Sequence, residues 1–509
     1  MNRNTALAAT TAPAGKGQRR YGLSKSKITM FEQCAKRLWL SVHRSDLVEH
    51  DDSSKARFST GNAVGELACS MLPEGVMVLA DPDLSAALSK TQELLALRPR
   101  RPIFEATLQH DGVLVRIDVL EPLKGGGWRI AEVKSSASAK PYHFGDLATQ
   151  LWVARNCGLN VRKACIRHVD TSFVLKKAGE YRGLFVDAEL LEEIEGIIAG
   201  RDTVVSDARR TLRGREPRID CGDHCTKPFA CEFVAYCRSS LPSAPEWTVD
   251  VLCNGGGKKW RKQGIEALAD VDPLQLTSAV HQRIHQATIS GVPFHDVKGT
   301  AAAMKAWAFP RTWLDFETIA FAIPRWVGTR SYQQVPFQFS AHIEKRNGTI
   351  EHREYLSLDG ADPRRACAEA LVRELPARGA VIAYNASFER TQLLGLAHAF
   401  NDLADELRAI ADRLVDLHPV ARAHWYHRDQ RGSWSIKAVL PTVSDLDYSS
   451  LEVADGGSAQ EAYLEAICPG CSDDRRLAIR QALKEYCHRD TEAMIVVARA
   501  LSGPQRPSA

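Results

Sequence analysis

The run Thr312–Phe321, TWLDFETIAF, constrains this chain more than any other stretch. Asp315 and Glu317 lie two apart in otherwise apolar sequence. On a strand, both carboxylates therefore face one side, while Leu314 and Phe316 face the core. Two acids on one face of an apolar strand invite a divalent cation, although such a pair taken alone also fits a solvated sheet edge. Two later stretches add to it. VIAYNASFERTQLL reads as an apolar strand followed by a helix start that carries Asn385 and Glu389. Near the end, Tyr486 and Asp490 lie four apart in a strongly apolar-periodic helix, which stacks phenol and carboxylate on one face.

Four acids and a tyrosine presented from rigid elements fit two-metal phosphodiester cleavage. In that chemistry two Mg²⁺ or Mn²⁺ ions roughly 4 Å apart grip the phosphate, one activating water and the other stabilising the leaving oxygen. Asp416, in RLVDLHPV, is either a fifth acid or a helix cap.

The rest of the chain divides by pattern. At 509 residues, length alone allows about three domains. Residues 1–20 are small, basic and without acids, and read as a disordered tail. Residues 21–240 mix a helical start, strand-like runs at RPIFEATLQH, VLVRIDVLEP and WRIAEVKSS, and further helices. Residues 241–310 read as an interrupted helical connector, 311–501 as a second α/β pattern, and 502–509 as a tail. The fold class is thus α/β. A formal charge of +4, from 66 basic and 62 acidic residues, is too small to mark a polyanion binder in bulk, so any nucleic-acid surface is a local patch. One candidate is GGGKKWRKQGIEAL, where Trp260 sits among Lys258, Lys259, Arg261 and Lys262; a solvated loop is the alternative. LRPRRPIF is a second basic cluster. No stretch approaches the ~20 apolar residues of a spanning helix. The expected location is the cytoplasm, with no membrane partner.

In VRIDVLEPLKGGGWRIAEVKSS, Asp118 ends one strand, and Glu132 and Lys134 occupy the next beyond a Gly-rich turn. Two acids can hold Mg²⁺, and an ammonium on the same face can position water or neutralise phosphate. A cross-strand charged pair worth about 0.2–1 kcal/mol fits the same spacing. CGDHCTKPFACEFVAYC packs Cys221, Cys225, Cys231 and Cys237 into one short segment, which points to ligation. Five-residue gaps fit zinc poorly and an iron-sulphur cluster better.

At these motifs the chain resembles known families. LDFET, YNASFE and YCHRD resemble the three motifs of DEDD exonucleases of the RNase H-like fold, in the subclass ending in Y-x-x-x-D. The resemblance implies Asp315, Glu317, Glu389 and Asp490 as Mg²⁺ or Mn²⁺ ligands and Tyr486 as the residue orienting water. Relatives carry Asp where this chain has Glu389, one methylene longer. GSWSIKAVLP is similar to a stretch between motifs two and three, with Ser435 and Lys437 as phosphate or positioning contacts.

LSKSKITMFEQCAKRLWL, GNAVGELA, AEVKSS and DLATQLWVARNCGL, in that order, resemble the RecB-like nucleases of the PD-(D/E)XK superfamily, a restriction-endonuclease-like fold, in the branch with an iron-sulphur cluster. This implies Asp118, Glu132 and Lys134 in catalysis, Asp118 and Glu132 as metal ligands, and Gln150 in support. Relatives often have a metal-binding His where Gly65 stands and a Tyr where Ala154 stands. The same resemblance selects Cys34, Cys225, Cys231 and Cys237 for a 4Fe-4S cluster; spacing alone allows Cys221 in place of Cys34. GIEALADV resembles a helix-hairpin-helix element.

Together with YQQVPFQFSAHI, the arrangement is similar to a bacterial family of two-domain RecB-like nucleases with a C-terminal domain of unknown function. It implies a metal-dependent nuclease with a 3′-to-5′ exonuclease site and a second phosphodiesterase site, acting on DNA, with partners in repair or defence complexes. A nucleic-acid-binding scaffold of nuclease folds with little catalysis is the rival expectation.

Overall fold

Alternation in the first half of the chain becomes a seven-stranded sheet. Its strands are β1 (Leu23–Ser24), β2 (Val76–Met77), β3 (Ile103–His110), β4 (Val113–Pro122), β5 (Trp128–Lys134), β6 (Val161–Val169) and β7 (Phe185–Glu189). They run in the order β2-β3-β4-β5-β6-β7, with β1 also paired to β4. In this computed structural model the described residues are 22–49, 53–80, 83–239 and 243–503, the side chains of 53–58 excepted. The expected tail at 1–20 and residues 504–509 lie outside them; the last helix itself reaches Ser502.

The chain forms two units, residues 1–170 with 185–240, and residues 171–184 with 241–509. In the first, Val113, Val115 and Ile117 of β4 face the main core, yet so does Leu120. Alternation therefore shifts by one residue at Asp118. Strand β3 shifts likewise at Glu105, a non-glycine residue in the left-handed region at φ 54°. Such a shift re-aims a side chain that a regular strand would turn elsewhere. The helix Pro141–Asn156 packs Leu147, Leu151 and Trp152 on this core and carries Gln150 toward β5.

The second unit is built on β9 (Arg311–Ile319), preceded by the two-residue β8 (Phe294–His295). It continues with β10 (Val335–Glu344), β11 (Ile350–Leu356), β12 (Val381–Ala383), β13 (Leu414–Asp416) and the short β14 (Trp425–Tyr426), which pairs with β8. The main sheet has the order β11-β10-β9-β12-β13. Strands β9, β10 and β11 are antiparallel, and β12 and β13 run parallel to β9. Both faces are buried, as the apolar composition of β9 requires. Leu314 and Phe316 join Phe339, Leu371 and Leu393 on one side; Trp313 and Ile319 join the final helix Asp473–Ser502 on the other.

The expected separate connector is not observed. Val249, Leu252, Trp260 and Leu268 belong to the same core as Trp313 and Tyr426, so 241–310 folds as part of the second unit. Trp260 is only 2% exposed, which removes it from any base-stacking surface. Apolar residues flanking the lysines pull the indole inward, and Lys259 covers the ring at 4.3 Å. GIEALADV contains only a three-residue turn of helix, Leu268–Asp270, rather than a helix-hairpin-helix. In the second basic cluster, Arg98 donates to the carbonyls of Leu95, Ala96 and Leu97, and Arg100 stacks over Trp128. Among the described residues no helix is long and apolar enough to cross a membrane.

Candidate metal centres

Strand β9 turns Asp315 and Glu317 toward the final helix, where Asp490 meets them. One carboxylate oxygen of each lies within 4.8 Å of the others. Register across the sheet sets these heights: Asp315 sits opposite Ser340 and Glu317 opposite Gln338 on β10. Gln338 in turn donates to the Leu483 carbonyl at 2.9 Å, which ties the final helix to the strand. Glu389 occupies the first turn of the helix Ser387–Ala399, outside the 4.8 Å group but near enough to act on Asp315 and Glu317. Its entry is a tight turn. Asn385 adopts φ 77°, and the Asp416 carboxylate accepts from the Asn385 and Ala386 amides at 2.9 and 3.1 Å. Asp416 also accepts from His418, so its role here is the cap rather than a fifth ligand.

Electrostatics mark this cluster as short of positive charge. Burial, reinforced by Asp490, Glu317 and Glu389, holds the Asp315 carboxyl well above the ordinary range. Burial and Asp490 push Glu317 up to about 8, and burial pushes Glu389 up to about 8. Asp490 is also raised by burial, against the opposing pull of Tyr448 and Lys437. The buried Oε2 of Glu389 has no hydrogen-bond partner. Crowded, buried oxygen donors with one orphaned atom fit hard divalent cations, which would relieve both the repulsion and the missing bond.

Several neighbours complete the site. Lys437 donates to the Ala454 carbonyl at 2.6 Å and to the Tyr486 hydroxyl at 3.3 Å, and its ammonium lies 5.0 Å from the Tyr486 ring centre. Ser435 is exposed and bonded to Ser433 instead. Tyr448 donates to Asp490, and the buried Cys487 thiol lies 3.9 Å from Asp315. Neither of these was visible from sequence. Tyr448 comes from a loop without periodicity, and Cys487 reads from sequence as a core or surface thiol.

In the first unit, Glu132 and Lys134 share a face of β5 and their side chains meet at 2.7 Å. Lys25 reaches the same Glu132 Oε1 at 2.6 Å, and Gln150 donates to Oε2. Asp118 lies beside them and accepts from the Val133 amide at 2.7 Å. Thus Asp118, Glu132, Lys134 and Gln150 do come together. Lys25, Asp146 and Thr29 join them: Asp146 accepts from Lys134 at 3.2 Å and from Thr29 at 2.8 Å. Burial and Glu132 push Asp118 up to about 7. Burial acts on Glu132 in the same sense, but the Lys25 and Lys134 ammoniums win and hold it below the usual carboxylate range. One acid is held toward its protonated form while the other is already paired with ammonium groups. A Cβ added at Gly65 would meet nothing within 4 Å, so the position leaves open space.

Cys34, Cys221, Cys225, Cys231 and Cys237 line one small cavity between the start of the helix Ala35–His43 and the 219–237 loop. All five are free thiols. Burial raises Cys231 to about 11. Five sulphurs around one cavity suit a thiolate-ligated cluster, and both four-cysteine sets, with Cys34 or with Cys221, are compatible with the lining.

A family model described as a domain of unknown function (DUF2779) matches residues 312–435. That span takes in Asp315, Glu317 and Glu389 and stops before Lys437, Tyr486 and Asp490. The Uncharacterized protein MG366 homolog of Mycoplasma pneumoniae is 27% identical over 231 residues, covering 40% of this chain and 35% of that protein. The chain therefore spans about a third of the length of that relative. The crystal structure of SSO0001 aligns at 15% identity with a TM-score of 0.23, over 44% of this chain and 90% of that one. A superposition of that quality says nothing about fold or function.

Proposed function

We propose that this chain is a metal-dependent nuclease of the cytoplasm. Its C-terminal RNase H-like site removes nucleotides from the 3′ ends of DNA, and its N-terminal PD-(D/E)XK-like site is a second phosphodiesterase centre. The observation that carries the reading is the 4.8 Å convergence of Asp315, Glu317 and Asp490 with raised proton affinity, where among the described residues no basic side chain is paired with these carboxylates and Lys437 reaches only the Tyr486 hydroxyl. The strand order β11-β10-β9-β12-β13 supports it, because the order places both β9 acids at the middle of the sheet.

Asp315, Glu317, Asp490 and Glu389 would hold Mg²⁺ or Mn²⁺. Bound there, such ions supply Lewis acidity toward phosphate and make water a better nucleophile at neutral pH. The protein's own groups do the rest. Tyr486 offers a hydroxyl to orient water, Lys437 sets that hydroxyl and adds positive charge for a phosphate, and Tyr448 fixes the Asp490 carboxylate. In the first unit, Asp118 and Glu132 would hold the cation, with Lys134 beside them. A 4Fe-4S cluster on Cys34, Cys225, Cys231 and Cys237 would join the two ends of that unit.

The test is release of mononucleotides from 3′-labelled single-stranded DNA in Mg²⁺. The double variant Asp315→Ala, Asp490→Ala is expected to lose it, and undiminished release overturns the assignment. One observation favours a second reading for the N-terminal site. Both Glu132 oxygens are engaged, by Lys25, Lys134 and Gln150, which fits a nucleic-acid-binding scaffold that has kept its shape without catalysis. DNA binding without cleavage across single-stranded, double-stranded and RNA substrates, in Mg²⁺ and in Mn²⁺, would favour it.

A further inference from the structure

Beside the carboxylates, on the same face of the sheet, lies a second cluster of different chemistry. His342 of β10 and His352 of β11 are directly opposed across the two strands, and His488 of the final helix closes over them. The three ring centres form a nearly equilateral triangle with sides of 4.6, 4.5 and 4.6 Å. One ring nitrogen from each lies within 4.8 Å of the other two.

Hydroxyls bonded to two of the rings set their tautomers. Thr491 Oγ1 has one proton and lies 3.0 Å from the His488 carbonyl, the usual acceptor for a threonine in a helix. With that proton spent, Thr491 must accept from His342 Nδ1 at 2.7 Å and from Ser340 Oγ at 2.8 Å. Ser340, having given its proton to Thr491, must accept from His352 Nε2 at 2.9 Å. Each of these two imidazoles therefore carries its N–H on the hydroxyl side and keeps its lone pair on the remaining nitrogen. This is the arrangement that metal-ligating histidines show, with the non-ligating N–H tied to an outer acceptor.

We propose that His342, His352 and His488 bind one divalent transition-metal ion, Zn²⁺ foremost, at a site distinct from the carboxylate centre. Imidazole nitrogens suit Zn²⁺ and its neighbours, whereas the oxygens of Asp315, Glu317 and Asp490 suit Mg²⁺ or Mn²⁺, so one domain sorts two kinds of cation. Three protein ligands leave a tetrahedral ion one position short. That position is open to water, because His352 and His488 also line an open groove of about 700 Å³ with Glu354, Lys484 and Glu492. The ion would pin the final helix to β10 and β11, and hence the turn that bears Tyr486 and Asp490 to the sheet that bears Asp315 and Glu317.

The test uses the full-length protein, stripped with EDTA, desalted and titrated with Co²⁺ as a coloured probe for Zn²⁺. Wild type is expected to show visible ligand-field bands of a nitrogen-ligated tetrahedral site without thiolate charge transfer, which separates this site from the cysteines. His352→Gln and His488→Gln, both at the groove edge, are each expected to weaken that binding by at least about tenfold. Asp315→Asn should leave it intact, so failure of the nuclease assignment does not carry this site with it. Two outcomes overturn the proposal: wild type with no nitrogen-only bands, or both histidine variants binding Co²⁺ as wild type does. The wild-type spectrum decides even if a variant fails to fold.

Discussion

The Tyr448 hydroxyl donates to Oδ1 of Asp490 at 2.5 Å, a short bond to a buried carboxylate. The phenol comes from a loop and the acid from the final helix, so this contact sets how Asp490 faces Asp315 and Glu317. Hydrogen bonds to charged groups contribute about 1.5–3 kcal/mol. Tyr448→Phe should therefore slow nucleotide release roughly 10- to 100-fold and raise the Mg²⁺ concentration needed for half-maximal rate. Circular dichroism should be unchanged.

A pH dependence of stability follows from the raised carboxyls. Glu317 and Glu389 move from an ordinary 4.5 up to about 8 in the folded chain, so the native state binds more protons than the unfolded state within that window. Stability of metal-free protein should be greatest below about 4.5, as far as these two groups go, and fall as pH rises toward 8. Added Mg²⁺ should recover more of the thermal midpoint at the upper end of the window than at the lower. In EDTA, Asp315→Asn should raise the midpoint at pH 8, since an amide removes the cost of ionising a buried carboxyl beside other acids; a lower midpoint at pH 8 would count against a charge-strained site.

Thiol substitutions separate the two cluster assignments. Cys34→Ser should abolish the visible absorbance of the purified protein and lower its thermal midpoint, because a cluster on Cys34 and Cys225 closes a loop of about two hundred residues. Cys221→Ser should leave both in place. The opposite pattern moves the fourth ligand to Cys221.

Trp260 offers a contrast between surface and core. Truncating a buried Trp costs about 3–5 kcal/mol, so Trp260→Ala should lower the denaturation midpoint strongly. Affinity for single-stranded DNA, measured where the variant is still folded, should not change.

Much of this site was legible because β9 and the final helix obey simple periodicities. Asp315 and Glu317 alternate with Leu314 and Phe316, and Tyr486 and Asp490 repeat at helical spacing, so local pattern fixed which way each side chain faces. The strands carrying Asp118 and Glu132 were visible for the same reason. What stayed hidden depends on register between distant segments. Lys25 reaching Glu132, Tyr448 reaching Asp490 and the meeting of His342, His352 and His488 are tertiary relationships with no local signature. Trp260 was misread because lysines beside an aromatic look alike in a solvated loop and at the rim of a core. The region 241–310 was misread because short, interrupted helices give weak periodicity even where they bury Val249, Leu252 and Leu268.

The double burial of β9 has one more consequence. A slip of a single position along this strand would exchange Leu314 and Phe316 with the two acids, spoiling the apolar layer and the carboxylate cluster together. Architecture and chemistry are thus written in the same ten letters, and neither can drift alone. Changes of length are left to the peripheral loops, such as the one that supplies Tyr448, where they leave the strand untouched.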